Sequence, residues 1–223
     1  MKAEIWDIID QNGNKTGKTT VRGRFNLNPG EYHLVVHIWV ISSDGKILIQ
    51  KRSKHKKLMP GEWAATGGAA ISGESSFQAA SRELFEELSI ESNEKTLKKF
   101  FRLKRRNSFL DVYLIKAEPT PESLTLQESE VAEVKWVSPE ELRSMIEKRE
   151  YHNYGREYFK TIFDEMFNSM QELMKSSGDS VVKNQFVGYA NNLTTYFNEM
   201  ASNLSKVQED INSEIKVNLP RLT

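Results

Sequence analysis

The sequence predicts an α/β sandwich, a mixed β-sheet with helices on both faces, followed by a C-terminal helical hairpin. Three observations predict it. Short β-branched and aromatic runs alternate with two capped helical segments over roughly residues 1–165. Tyr32 to Ile41 is almost wholly apolar or aromatic, as in a strand buried on both faces. From Tyr158 onward the apolar residues recur at helical spacing. A chain of 223 residues can bury one good core and a modest appendage. It divides into a domain at 1–165 and a helical extension at 166–223, expected to serve packing or dimerisation.

Glu4 to Asp10 alternates weakly and ends in Gln11-Asn12-Gly13-Asn14, a turn signal, so a first hairpin or edge strand is expected there. Ser42-Ser43-Asp44-Gly45 turns the Tyr32–Ile41 strand into Lys46–Gln50, a central hairpin. Trp63 to Thr66 reads as a short strand feeding a glycine loop. Residues 92–101 read as a connector, Ser108 to Ala117 as a strand, and Glu133 to Val137 as another. Ser138-Pro139-Glu140-Glu141 supplies an N-cap, a proline at N1 and a glutamate at N3 for a helix reaching about Lys148. In the tail, Phe159, Ile162, Phe163, Met166, Phe167, Met170, Leu173 and Met174 form one helical stripe, broken at Ser176-Ser177-Gly178-Asp179. Phe186, Ala190, Leu193, Phe197, Met200, Leu204, Val207 and Ile211 then step as a heptad seam, which packs on the first helix or on a second copy of the chain.

Composition narrows the function. Lys+Arg and Asp+Glu number 31 each, so the net charge is zero and no global field favours a nucleic acid polymer or an anionic membrane. The N-terminus, MKAEIWDIIDQNG, carries acids and a turn where a signal peptide needs an apolar run, and no stretch approaches the ~20 apolar residues of a membrane span. A soluble, cytoplasmic protein is expected. The absence of cysteine excludes disulfides, thiolate zinc sites and cysteine nucleophiles together.

The chemistry concentrates between Gly67 and Ile90. From Ser75 to Leu88 no residue is Gly, Pro or β-branched, and Ser75 with Gln78 forms a capping box. On that helix Glu83, Glu86 and Glu87 share one quadrant, opposite an apolar stripe of Phe77, Ala80, Ser81, Leu84 and Leu88. Like charges at such spacing cost a helix roughly 0.2–0.5 kcal/mol per pair. The cluster reads either as a solvated charged face or as a seat for a cation. Gly67, Gly68 and Gly73 bracket a short loop before the helix, where close backbone approach to a ligand is feasible.

Read as one string, Gly68, five residues, Glu74, seven residues, then Arg82-Glu83-Leu84-Phe85-Glu86-Glu87 resembles the Nudix box, Gly-x5-Glu-x7-Arg-Glu-U-x-Glu-Glu-x-Gly-U, where U is bulky and aliphatic. Ile90 supplies the last U, and Ser89 stands where the family has glycine. A serine at that left-handed C-cap should cost up to about 1 kcal/mol or shift the helix end.

The resemblance covers roughly residues 1–165 and implies an α-β-α sandwich that hydrolyses a diphosphate linked to another moiety, with Mg2+ or Mn2+ bound to the box helix. Glu83, Glu86 and Glu87 match the metal-coordinating carboxylates, Gly67 a carbonyl ligand, Arg82 the arginine that orients the acids, and Glu74 an acidic position that is often structural. The general base is either a box glutamate or one from a later loop, Glu128 or Glu130, with Glu130 preferred.

Five of residues 51–57, namely Lys51, Arg52, Lys54, Lys56 and Lys57, are cationic. The run reads as a solvated turn or as a phosphate grip, with Arg52 and Lys51 the substrate candidates. His33 and His37 share one strand face and read as packed aromatics or, alternatively, as ligands. The order HLVVHIWV, Gln50-Lys51-Arg52-Ser53, Pro60-Gly61-Glu62-Trp63 and then the box is similar to the isopentenyl-diphosphate isomerase branch. Those isomerases place a cysteine and a histidine where this chain has Gly67 and Ala69, so hydrolysis ranks above isomerisation. The third alternative is a Nudix-like binding module acting through its C-terminal helices.

Overall fold

The computed structural model describes residues 4–23, 27–155 and 157–163. Strands β1 (Ile5–Ile9) and β2 (Lys15–Val21) form the expected hairpin as a separate two-stranded sheet. Asp10 closes its turn by accepting from the backbone N–H groups of Asn12 and Asn14 at 2.8 and 2.9 Å, an Asx-type turn.

The main sheet has seven strands: β3 (His33–Ile41), β4 (Ile47–Arg52), β5 (Trp63–Ala64), β6 (Thr66–Ala69), β7 (Leu97–Lys104), β8 (Ser108–Lys116) and β9 (Val131–Val137). Its main path runs β5-β4-β3-β8-β7, with β6 added on β3 and β9 on β4. β3 and β8 are parallel in register from His33↔Ser108 to Ile41↔Lys116, so the sheet is mixed.

The central hairpin differs from a simple pair. β3 and β4 pair only at Val40↔Leu48 and Ile41↔Ile47. They then splay: β3 continues against β6, and β4 against β5 and β9. The wedge between them is where the site forms.

Two other expectations are corrected. The stretch read as a connector at 92–101 contains most of β7, an edge strand antiparallel to β8. Its lysines and arginines hid the alternation, and such charges are what an unpaired edge needs against aggregation. The glycine loop begins as a strand, because Gly67 and Gly68 sit in β6 opposite His37 and Val36.

Both faces of β3 are buried, Val36, Ile38 and Val40 on one parity and His37, Trp39 and Ile41 on the other. On the first face they pack with Ala79, Ala80, Leu84 and Leu88 of α1 (Ser76–Leu88). Helix α2 (Pro139–Glu147) has the expected capping box at Ser138 and Glu141 and buries Leu142 and Met145. A second compact unit begins at Tyr154. Within it residues 157–163 are helical, and the Tyr158 and Phe159 rings meet edge-on at 5.4 Å. The predicted helical hairpin and heptad seam of 166–223 lie outside the described residues.

Candidate active site

α1 starts and stops where local chemistry demands. Ser75 Oγ accepts from the Gln78 N–H at 3.2 Å, and the Gln78 side chain accepts from the Ser75 N–H at 2.8 Å. At the other end Ser89 takes the left-handed conformation, φ 55 and ψ 29, and its N–H donates to Phe85 O. Its Oγ donates to Thr125 O at 2.9 Å, which offsets part of the conformational cost and ties the helix end to residues 124–126.

The acidic quadrant faces outward only at Glu86, which corrects the expectation of a core side opposed by a charged side. Glu87 is only 2% exposed, and Ala79 on the same side is fully buried, whereas Phe85 is 53% exposed. The glycines of β6 explain how acids fit there. A Cβ on Gly68 would stand 2.3 Å from Glu83 Oε1, and one on Gly67 would stand 2.1 Å from the Val36 carbonyl oxygen. Bare backbone at Gly68 leaves room for Glu83, and bare backbone at Gly67 lets β6 lie close against β3.

Arg82 organises one half of the cluster. Its Nε and Nη2 grip the Glu74 carboxylate at 2.7 and 3.1 Å, a bidentate fork that lysine cannot reproduce. Nη1 donates to Glu83 Oε1 and to Glu86 Oε2, both at 2.9 Å, and Nη2 reaches Ala69 O at 3.2 Å. The surrounding acids hold the guanidinium firmly ionised.

Glu87 belongs to the other half. Its Oε2 accepts from Gln50 Nε2 at 2.9 Å and from the Gly67 N–H at 3.2 Å. Gln50, itself fully buried, has its Oε1 occupied by Thr66 Oγ1 at 2.9 Å, which orients its amide toward Glu87. Burial first, then the Glu83 charge, pushes the Glu87 carboxyl up to about 8, against the pull of Gln50 and Gly67; Glu130 adds a further push. Glu83 is also raised, by burial more than Arg82 lowers it. Glu83 and Glu130 therefore both press on the buried Glu87 carboxyl, where compensating charge would be welcome.

Among the described residues, no three acidic or histidine side chains group closely enough to enclose an ion. Arg82 draws Glu83 and Glu86 one way while Gln50 holds Glu87. The donor set is nonetheless all oxygen, which suits a hard divalent cation.

The loop candidates separate. Glu130 O accepts from the Ser53 N–H at 2.8 Å, and its carboxylate is in close contact with Lys56 Nζ. Glu128 instead lines an open cleft of about 680 Å³ with Ser53, Lys54, His55, Leu126 and Val131. The Gln127 N–H donates to Glu87 O at 3.3 Å and so anchors this loop to α1.

Strand alternation sends Lys51 to the sheet face opposite Gln50. There it lies over the Trp63 ring at 5.5 Å and 3.6 Å from Glu133. Arg52 Nε donates to Leu58 O at 3.1 Å and shapes the basic turn. His33 stacks on Trp6 with ring centroids 4.3 Å apart, and burial lowers it to about 4; burial likewise drives His37 well down. Both are neutral packed rings, held within the sheet.

Asp111 escaped the sequence reading and Gln50 entered it only as a strand end and within the Gln50-Lys51-Arg52-Ser53 string, although each is a polar residue inside an apolar strand and so carried a signal. Asp111, fully buried, accepts from Arg102 Nε at 2.5 Å, Lys99 Nζ at 2.6 Å and Ser76 Oγ at 2.5 Å. Burial raises its carboxyl, but these donors outweigh it and hold it below its ordinary range. Ser76 opens α1, so this buried charge pins the helix N-terminus to β8.

The NUDIX domain family model matches residues 31–160. A second model, the flagellar hook-associated protein FlgK helical domain, matches residues 153–222. An uncharacterized Nudix hydrolase of Listeria monocytogenes is 39% identical over 152 residues, covering 68% of this chain and 89% of the relative. An isopentenyl-diphosphate Delta-isomerase of Streptomyces coelicolor is 28% identical, covering 79% and 90% respectively. The crystal structure of DR0079 from Deinococcus radiodurans superposes with a TM-score of 0.57 at 25% identity, covering 67% of this chain and 93% of that one.

Proposed function

The chain belongs to the Nudix family of pyrophosphohydrolases, and we propose that it cleaves the diphosphate of a nucleoside diphosphate derivative or similar small molecule with Mg2+ or Mn2+ on α1. Nudix enzymes act on small-molecule diphosphates and generally use divalent metals.

The observation that carries the reading is the meeting of Glu87, Gln50 and the Gly67 N–H at the wedge where β3 and β4 part, beside Glu83 and within the field of Glu130. Glu83, Glu86, Glu87 and the Gly67 carbonyl are the proposed ligands. When bound, the cation polarises the phosphoryl group and lowers the pKa of the attacking water. Arg82 orients Glu83 and Glu86, and Gln50 orients Glu87.

Glu130 takes the proton as water oxygen bonds to phosphorus, and the bridging P–O bond breaks toward the departing phosphate ester. Arg52 is the proposed phosphate contact from the basic turn. Lys51, on the far face with Trp63, is a weaker candidate for that role. Residues 166–223 are proposed as a packing or dimerisation segment. Among the described residues no helix is long and apolar enough to cross a membrane.

The test is release of phosphate-containing products with Mg2+ from a panel of ADP-ribose, UDP-glucose, coenzyme A, diadenosine polyphosphate and isopentenyl diphosphate. Wild type should turn over at least one member, and Glu87→Gln should abolish it. Turnover unaffected by that change overturns the reading. Double-bond migration in isopentenyl diphosphate without product release would establish the isomerase instead.

A further inference from the structure

The basic run 51–57 reads as a solvated turn or as a phosphate grip, and only part of it is solvated. Lys54, His55 and Lys57 are exposed. Lys56 is more enclosed: its side chain is 13% exposed, and its ammonium contacts the Glu130 carboxylate, which is 29% exposed. Their contact joins the basic turn to the loop before β9, and both of these segments supply residues to the open cleft. Ser53, Lys54 and His55 form one wall, and Glu128, Val131 and Ala132 the other.

The backbone around Glu130 is held on both sides. Its carbonyl accepts from the Ser53 N–H, and its N–H donates to Gln127 O at 2.7 Å, while the Gln127 N–H reaches Glu87 O. That leaves the Glu130 side-chain torsions as the main freedom, and Lys56 is the group that restrains them. A general base must sit within hydrogen-bond reach of its water, and a misplacement of about 1 Å can cost on the order of a hundredfold in rate.

We propose that Lys56 is a positioning residue for hydrolysis, holding the Glu130 carboxylate toward the α1 acids and joining the basic turn to the loop before β9. The inference rests on Glu130 being the base. It assigns to Lys56 an effect on the chemical step, transmitted through Glu130.

The experiment compares full-length wild type, Lys56→Met, Lys56→Arg, Glu130→Gln and the double variant Lys56→Met/Glu130→Gln, with Mg2+ and the panel member that wild type turns over fastest. Circular dichroism and thermal melting accompany the kinetics. Lys56→Met should lower kcat about tenfold to a hundredfold with KM within about threefold. Lys56→Arg, which keeps the charge, should recover most of the loss and also covers any misfolding of the methionine variant. The double variant should be no slower than Glu130→Gln alone, because a lost base needs no positioning.

A raised KM with unchanged kcat in Lys56→Met would make Lys56 a substrate contact and overturn the proposal. Multiplying losses in the double variant would also overturn it. The reading beneath fails differently: Glu130→Gln with wild-type kcat removes Glu130 as base, and a panel with no wild-type turnover removes the hydrolase.

Discussion

Gln50 Nε2 donates to Glu87 Oε2 across 2.9 Å, joining a strand to a helix inside the core. Both side chains are almost wholly buried, so neither can substitute water for the other. Gln50→Leu is therefore predicted to leave Glu87 and Thr66 short of a partner. The expected stability loss is about 1–3 kcal/mol by urea unfolding. Metal affinity or kcat should fall about 10–100-fold. Unchanged kinetics would show that Glu87 needs no support from β4.

The second prediction concerns pH. Burial holds the Glu87 carboxyl at about 8 without metal, above its ordinary value of 4.5. The folded protein thus holds a proton that the unfolded chain gives up. Its contribution to stability is fully present below about 4.5, is lost as pH rises from there to 8, and is constant beyond. The loss is bounded by about 5 kcal/mol. Glu87→Gln should flatten this part of the metal-free stability profile, measured by denaturant unfolding between pH 5 and 9. For the same reason, Mg2+ binding near neutral pH should release a proton. Calorimetry in buffers of different ionisation enthalpy checks that.

Gly68→Ala tests the bare-backbone requirement. The added Cβ would meet the Glu83 carboxylate at 2.3 to 2.6 Å. The obstacle is the far end of a flexible side chain, so the fold should lose little, about 1 kcal/mol. The cost should instead appear as weakened metal binding and a kcat lowered about tenfold or more, because Glu83 is displaced. A variant as active as wild type would show that Glu83 has slack.

Ser89 carries the one departure from the box. Because it is left-handed and its Oγ bonds to Thr125 O, glycine and alanine should diverge there. Ser89→Gly relieves the backbone while losing the side-chain bond, and Ser89→Ala loses the bond and keeps the strain. The glycine variant should exceed the alanine variant in stability by about 1 kcal/mol, read as midpoint shifts in thermal melts. Equal melting points would mean that the helix end adjusts without strain.

Local signals settled what can be settled within a segment. The capping boxes at Ser75 and Ser138, the doubly buried strand of His33–Ile41, the left-handed C-cap at Ser89 and the spacing of Glu83, Glu86 and Glu87 were all legible before any coordinates. Each depends on neighbours a few residues away. The edge strand Leu97–Lys104 was not legible, because its charges interrupt the period on which a strand is recognised and its one partner, β8, lies on a single side.

Tertiary structure alone decided which way the acids face and what holds them. Gln50 and Glu87 are 37 residues apart, and Lys56 and Glu130 are 74 apart. No periodicity reports such pairs, since they arise from the divergence of β3 from β4 and from the glycine backbone that lets α1 approach. The helix wheel placed the glutamates together; the sheet beneath turned Glu87 inward, where burial gives its carboxyl a proton affinity that spacing could not foretell.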